Sequence, residues 1–248
     1  MTAPLVHATH ERGITTLTLD SPDNRNALSA ALLHDLSDAL KRCAKDNDVR
    51  AVVLTHTGTT FSAGADLRDP PRPKALLALL RQIIKLRKPV VARVTGHVRA
   101  GGLGLLGACD IAAASRTATF AFTEVRIGVA PALISLPLTH RVDPRALARY
   151  YLTGETFDAA EAARIGLLTT AGDRTDVDEV LAPVLDGLRR AAPWALAETK
   201  QLLTTKVLEA FDEDATHLTS VSSRLFASAE AREGMTAFLE RRDPPWVL

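Results

Sequence analysis

Hydrophobic and polar positions alternate along this chain in two registers, one of period two and one of period 3.6. Gly13-Ile14-Thr15-Thr16-Leu17-Thr18-Leu19 interleaves apolar and β-branched residues, reads as a strand, and stops at Ser21-Pro22-Asp23-Asn24. Leu32, Leu33, Leu36, Leu40 and Cys43 then share one helical face, with Ser29 as the cap and Asp46-Asn47-Asp48 as the stop. Ala51-Val52-Val53-Leu54 is a short, wholly apolar run of the kind a buried parallel strand shows. A loop containing Phe61 to Leu67 and a proline-rich patch at Pro70, Pro71 and Pro73 lead into a helix from Leu76 to Leu86. Pro89 to Val94 is the next strand, followed by a glycine-rich helix from Gly101 to Cys109 and short β runs at Ile111–Ala114 and Thr119–Phe122. This β-α-β-loop-α-β order predicts an α/β protein with layered sheets and crossover helices. From Thr156 onward the pattern is helical: Asp158 to Arg164, Val177 to Leu188, Pro193 to about Phe211, and a last helix after Ser228 reaching Arg241. No repeat or flexible linker interrupts it, so a break near Ala191 predicts a helical extension that packs on something.

Composition narrows the function. The 248 residues are 46% hydrophobic, 24% charged and 4% aromatic, so Leu, Val and Ala must fill the core. Lys+Arg 30 against Asp+Glu 29 leaves a net charge of +1, which provides no general field for nucleic acid or an anionic membrane. The apolar stretch from Ala100 to Cys109 is far short of the about 20 residues that span a bilayer. Met1-Thr2-Ala3-Pro4-Leu5 has no basic or apolar leader pattern. Cys43 and Cys109 form neither a disulfide framework nor a zinc cluster and read as buried small hydrophobes. His7, His10, His34, His56, His97, His140 and His217 show no ligand spacing, so no metal is expected. A cytoplasmic protein in a reducing compartment is the expectation.

Three local features carry candidate chemistry. Gly102-Leu103-Gly104-Leu105-Leu106-Gly107 matches G-x-G-x-x-G in letters, but His97-Val98-Arg99-Ala100 separates it from the strand it should abut. Gly101, Gly104 and Gly107 instead recur at i, i+3, i+6 and clear one helix face for a close neighbour. The start of such a helix carries unpaired N–H groups, and the small turn Ala63-Gly64-Ala65 leaves another; converging, they would form an oxyanion hole. Glu124, after Phe120-Ala121-Phe122, fits either a buried proton-transferring acid or a solvated loop acid paired with Arg126; context alone weights the second. Arg25, Arg68, Lys74 and Lys85 are basic positions that a phosphate-bearing ligand could use.

Taken together, several segments stand in a familiar order: Ser21 to Ser29, Phe61 to Leu67, Gly96 to Ile111, Glu124 to Pro131, Tyr151 to Glu155, Ala160 to Leu167, and Glu233 to Pro244. Over essentially its whole length the chain resembles the enoyl-CoA hydratase (crotonase) family. The resemblance implies a spiral of ββα units over residues 1–191, with a helical trimerisation region at 192–248 and a homotrimer or hexamer. It also implies an acyl-CoA thioester substrate, with coenzyme A part of the substrate and no separate cofactor. By the same resemblance the N–H groups of Ala65 and Gly101 hold the thioester carbonyl. Ala63, Asp66 and Leu67 line the adenine and pantetheine path, Arg25 lies near the phosphates, Ala27 also binds the coenzyme A part, and Glu124 transfers protons.

The chain departs from the family pattern at one acid. Typical hydratases of the family carry two glutamates; the first position is Gly104 here, the second is Glu124, and the usual preceding proline is Thr123. Three readings follow, in order. The first is a hydratase using Glu124 and a water held by other groups, as the resemblance of Thr123 to Ser135 to bacterial methylglutaconyl-CoA hydratases implies. The second is a double-bond isomerase, which needs one carboxylate. The third is a non-catalytic acyl-CoA-binding protein.

Overall fold

A computed structural model of the chain describes residues 4–171 and 177–248. Met1, Thr2 and Ala3, part of the N-terminal segment read above, lie outside the described residues. In chain order the elements are β1 (Val6–Glu11), β2 (Ile14–Leu19), α1 (Ala30–Lys45), β3 (Ala51–His56), β4 (Thr60–Ser62), α2 (Pro73–Lys85), β5 (Val90–Val94), β6 (His97–Arg99) and α3 (Gly101–Ala108). Then come β7 (Ile111–Ala114), β8 (Thr119–Ala121), a 3-10 turn (Glu124–Ile127), α4 (Ala132–Leu138), α5 (Pro144–Thr153), β9 (Phe157–Asp158), α6 (Ala159–Arg164) and β10 (Thr170–Ala171). The chain ends in α7 (Val177–Arg190), α8 (Pro193–Phe226) and α9 (Ala229–Glu240).

The strands form two sheets. Six follow the order β1-β2-β3-β5-β7-β10, parallel except for the β1–β2 hairpin; four follow β4-β6-β8-β9, parallel except for β9. Each successive pair, β3 with β4, β5 with β6 and β7 with β8, places one strand in each sheet. A helix follows the first two pairs, so the chain advances as repeated ββα turns. The α/β class and spiral read from sequence are what is observed.

Local chemistry explains most elements. The Ser29 hydroxyl accepts from the Leu32 N–H at 3.2 Å and starts α1, which buries Leu32, Leu33, Leu36, Leu40 and Cys43 as its spacing dictates. β3 is buried along its entire length. Several findings differ from the sequence reading, which also lacks the short strands β4, β6, β9 and β10. β1 escapes it because Val6 alone is buried and the other five positions face out on an edge strand. α4 and α5 also escape it; α5 nevertheless has Pro144 in its first turn, an Asp143 cap accepting from the Ala146 N–H, and Gly154 at its left-handed end. α8 runs to Phe226 and not to about Phe211, since no Gly or Pro interrupts the chain between Trp194 and Phe226.

α8 packs on α2 and α4, and Val207 and Phe211 belong to the main core. It is pinned by Lys200, whose side chain is 5% exposed and whose Nζ lies 2.7 Å from Asp110 Oδ2. The same ammonium donates to the carbonyls of Ile83 and Lys88, and the carboxylate accepts from the Val90 N–H. Both cysteines are buried, and burial pushes the Cys109 thiol up to about 12. Among the described residues no helix is long and apolar enough to cross a membrane, and no cluster of three potential ligands could hold a metal ion.

Candidate active site

Two backbone turns meet above α3. In the first, Leu28 and Ala65 form a parallel bridge: the Leu28 N–H donates to Gly64 O, and Asp66 N–H donates to Leu28 O. That pattern leaves the N–H of Ala65 itself on the side away from Leu28. Asn26, fully buried, fixes the approach of this segment. Its Nδ2 donates to the carbonyls of Thr57 and Thr60, and its Oδ1 accepts from the Ser21 N–H. In the second turn Ala100 adopts φ 46°, ψ −123° and donates its N–H to Ala121 O, so Gly101 opens α3 with a free N–H. Gly64, at φ +89°, lets the turns touch: a Cβ there would lie 2.7 Å from Ala100 Cβ and 3.2 Å from the Gly101 nitrogen. Among the described residues neither the Ala65 N–H nor the Gly101 N–H has a hydrogen-bond partner.

Both groups line a cavity of about 850 Å³. Arg25, Ala27, Ala63, Asp66, Leu67 and Glu124 line the same cavity, so the eight residues that the resemblance assigns to the site meet in one place. Arg68 joins them, whereas Lys74 and Lys85 do not. The lining combines the charged Asp23, Arg25, Arg68 and Arg72 with the apolar Leu133, Ile134 and Met235. A ligand with a charged head and an apolar tail suits that combination.

Glu124 is 8% exposed at the start of the 3-10 turn, and its Oε2 has no hydrogen-bond partner. Burial pushes its carboxyl up to about 7, partly opposed by a hydrogen bond from its own backbone N–H. The loop-acid and Arg126-pair reading is thereby set aside. Arg126 is exposed and donates instead to Thr153 O at 3.4 Å. A carboxyl that titrates near neutrality is suited to taking and returning a proton.

The glycine spacing in α3 serves packing. All eight residues of α3 are buried, and a Cβ on Gly107 would lie 2.7 Å from Leu138 Cδ2. At Gly104 it would lie 2.5 Å from Ile134 Cγ2 and 3.0 Å from Ile134 Cβ. A side chain of α4 therefore occupies the space that a longer residue at position 104 would need. Sequence reasoning missed Ile134 and the supporting role of Asn26; only the i, i+3, i+6 glycine pattern hinted at the former.

A family model described as Enoyl-CoA hydratase/isomerase matches residues 9–247. The chain belongs to the enoyl-CoA hydratase/isomerase family. A crystal structure of an enoyl-CoA hydratase from Mycobacterium avium is 49% identical, with a TM-score of 0.92 over 99% of this chain and 100% of that one. An enoyl-CoA hydratase/isomerase from Pseudoalteromonas atlantica T6c is 28% identical, with a TM-score of 0.88 over 98% and 100% of the two chains. The (E)-benzylidenesuccinyl-CoA hydratase of Thauera aromatica is 29% identical over 92% of this chain and 93% of its own. In this member of the enoyl-CoA hydratase/isomerase family the buried Glu124 carboxyl lines the same cavity as two unpaired amides.

Proposed function

We propose that the protein is an enoyl-CoA hydratase, adding water across the double bond of a 2-enoyl-CoA thioester or removing it. The observation that carries this reading is the shared cavity of the Ala65 and Gly101 N–H groups and the Glu124 carboxyl. The two amides donate to the thioester oxygen, and each such donor contributes roughly 3–4 kcal/mol where charge develops on that oxygen. Glu124 as carboxylate takes a proton from water while the water oxygen bonds to carbon 3. The double-bond electrons move through carbon 2 onto the thioester oxygen. Glu124, now a carboxylic acid, returns the proton to carbon 2 as the enolate collapses. One water thus supplies both added groups. Arg25 meets the coenzyme A phosphates, Ala27 also binds the coenzyme A part, and Ala63, Asp66 and Leu67 border its adenine and pantetheine path; coenzyme A enters only as part of the substrate.

The assembly is a homotrimer or hexamer built through residues 192–248. Leu202 and Leu203, 81% and 79% exposed on α8, support it, because large apolar side chains in such a position call for cover. A cytoplasmic setting is supported by two buried free thiols. The double-bond isomerase is the second reading. The side chain of Ile134 fills the room beside Gly104, and moving a proton between carbons 2 and 4 needs one carboxyl only.

Purified protein incubated with short 2-enoyl and 3-enoyl thioesters in deuterated water, followed by mass spectrometry, separates the readings. Gain of water with one carbon-bound deuterium on the 2-enoyl substrate is expected. Conversion of 3-enoyl to 2-enoyl thioester without hydration would replace it by the isomerase, and binding without turnover by a non-catalytic protein. The spacing of the turns gives a further expectation. Gly64→Ala forces a Cβ against Ala100 at positive φ, and should lower kcat about 10²-fold at a stability cost of about 1–3 kcal/mol. Steady-state rates and thermal melts of that variant are the check, and an unchanged kcat would remove the turn contact from the mechanism.

A further inference from the structure

Among the described residues, two buried side-chain oxygens lack a hydrogen-bond partner: Glu124 Oε2 and Tyr151 Oη. Buried polar atoms of a folded chain are nearly all satisfied, so an orphan calls for an account. These two belong to one local unit. The turn that begins with Glu124 packs against α5, which carries Tyr151. The Tyr151 ring meets Phe122 edge-on with centroids 4.7 Å apart, and Phe122 lies two residues before Glu124.

The other charged groups around this turn are engaged elsewhere or exposed, Glu240 of α9 among them in its pair with Arg242. On α5, Arg149 pairs with Glu155 and the neighbouring Tyr150 Oη donates to Glu161 at 2.8 Å; Arg145 is exposed. On α9, Glu230 and Arg232 are exposed and Glu233 pairs with Arg242. α4 carries no titratable residue, and Arg126 in the turn itself faces Thr153. Burial raises the Tyr151 phenol, and the Glu124 charge raises it further, so the O–H stays protonated whenever the carboxylate needs a donor.

We infer that Tyr151 is a positioning residue: its phenol O–H acts on Glu124 Oε2 through one bridging water and leaves Oε1 to face the reacting carbons. This rests on Glu124 being the proton-transferring group. A donor to the carboxylate favours the charged form, so its removal raises the carboxyl's titration midpoint. A buried site with two polar partners can hold such a water.

The test is a titration of the carboxyl carbons in protein labelled with ¹³C-glutamate, comparing wild type with Tyr151→Phe and assigning the Glu124 signal by its loss in Glu124→Gln. The Glu124 midpoint is expected to rise by about one unit in Tyr151→Phe. The pH profile of kcat/KM should move by the same amount, with kcat lower by about tenfold and KM little changed. An unmoved midpoint overturns the inference, including the case in which kcat falls alone, since a packing role would do that. A shifted midpoint in a protein that turns over no enoyl thioester upholds the pair and counts against the hydratase reading. Should Tyr151→Phe not fold, 3-fluorotyrosine in place of both tyrosines supplies a more acidic donor at position 151. The midpoint should then fall, and an unmoved one overturns the inference equally.

Discussion

Glutamine at position 124 is expected to lower kcat by about 10³-fold while acyl-CoA still binds. The carboxamide keeps the shape of the side chain and loses the proton it exchanges, and neither the two amides nor Arg25 is touched. A calorimetric affinity for an acyl-CoA with a saturated chain, measured beside turnover, checks both halves. Turnover within tenfold of wild type would take Glu124 out of the mechanism. The same substitution should change stability with a definite sign. In the fold the carboxyl titrates near 7, against 4.5 for the ordinary group, so the native state holds that proton more tightly than the unfolded chain does. Its stabilising effect is complete below pH 4.5 and is lost as pH rises through 7, amounting to about 3 kcal/mol by pH 8. Glu124→Gln cannot ionise. It should therefore unfold at higher denaturant than wild type at pH 8 and close to it at pH 4.5. A difference independent of pH would mean that the carboxyl is not desolvated as its burial indicates.

Gly104→Glu is the second large effect, and it should fail as a single change. The new Cβ would lie 2.5 Å from Ile134 Cγ2 inside a helix pair with no exposed residue on the α3 side. Overpacking of this kind costs about 1–3 kcal/mol, and burying an unpaired carboxyl adds to that. Ile134→Ala alone opens a cavity at about 2–5 kcal/mol. Combined, each change relieves the other, so the double variant should be more stable than the two separate losses predict. It should also hydrate a 2-enoyl thioester at least about tenfold faster than Ile134→Ala, because a second carboxyl can then hold the attacking water. A double-mutant cycle in denaturant together with hydration rates decides it. Additive stabilities would show that Ile134 is not what excludes a side chain from position 104.

The parts of this fold written in short-range chemistry were legible before any coordinates. The Ser29 cap with its leucine face, the apolar run of β3, and the glycine spacing of α3 each state their structure locally. β1 was not legible, because an edge strand with five exposed positions carries no apolar alternation. The site divides in the same way. The small-residue turns announced free amides, but the direction of the Ala65 N–H depends on its bridge to Leu28, far back in the chain. Glu124 looked like a loop acid because its burial is created by α5 and α9, which arrive later and fold over its turn. Tyr150 and Tyr151 are adjacent in sequence, yet one turns to Glu161 and the other to Phe122, a difference that only the packing of α5 sets.

The Lys200–Asp110 pair bears on how the chain is made. Synthesis delivers Asp110 long before its cation, and Val207 and Phe211 of the main core later still. A nascent chain that has emerged only as far as α7 holds Asp110 with no cation in place and a core missing two of its buried side chains. The order of translation therefore makes α8 the segment that closes the core, and chaperone attention to this protein should persist until that helix has left the ribosome.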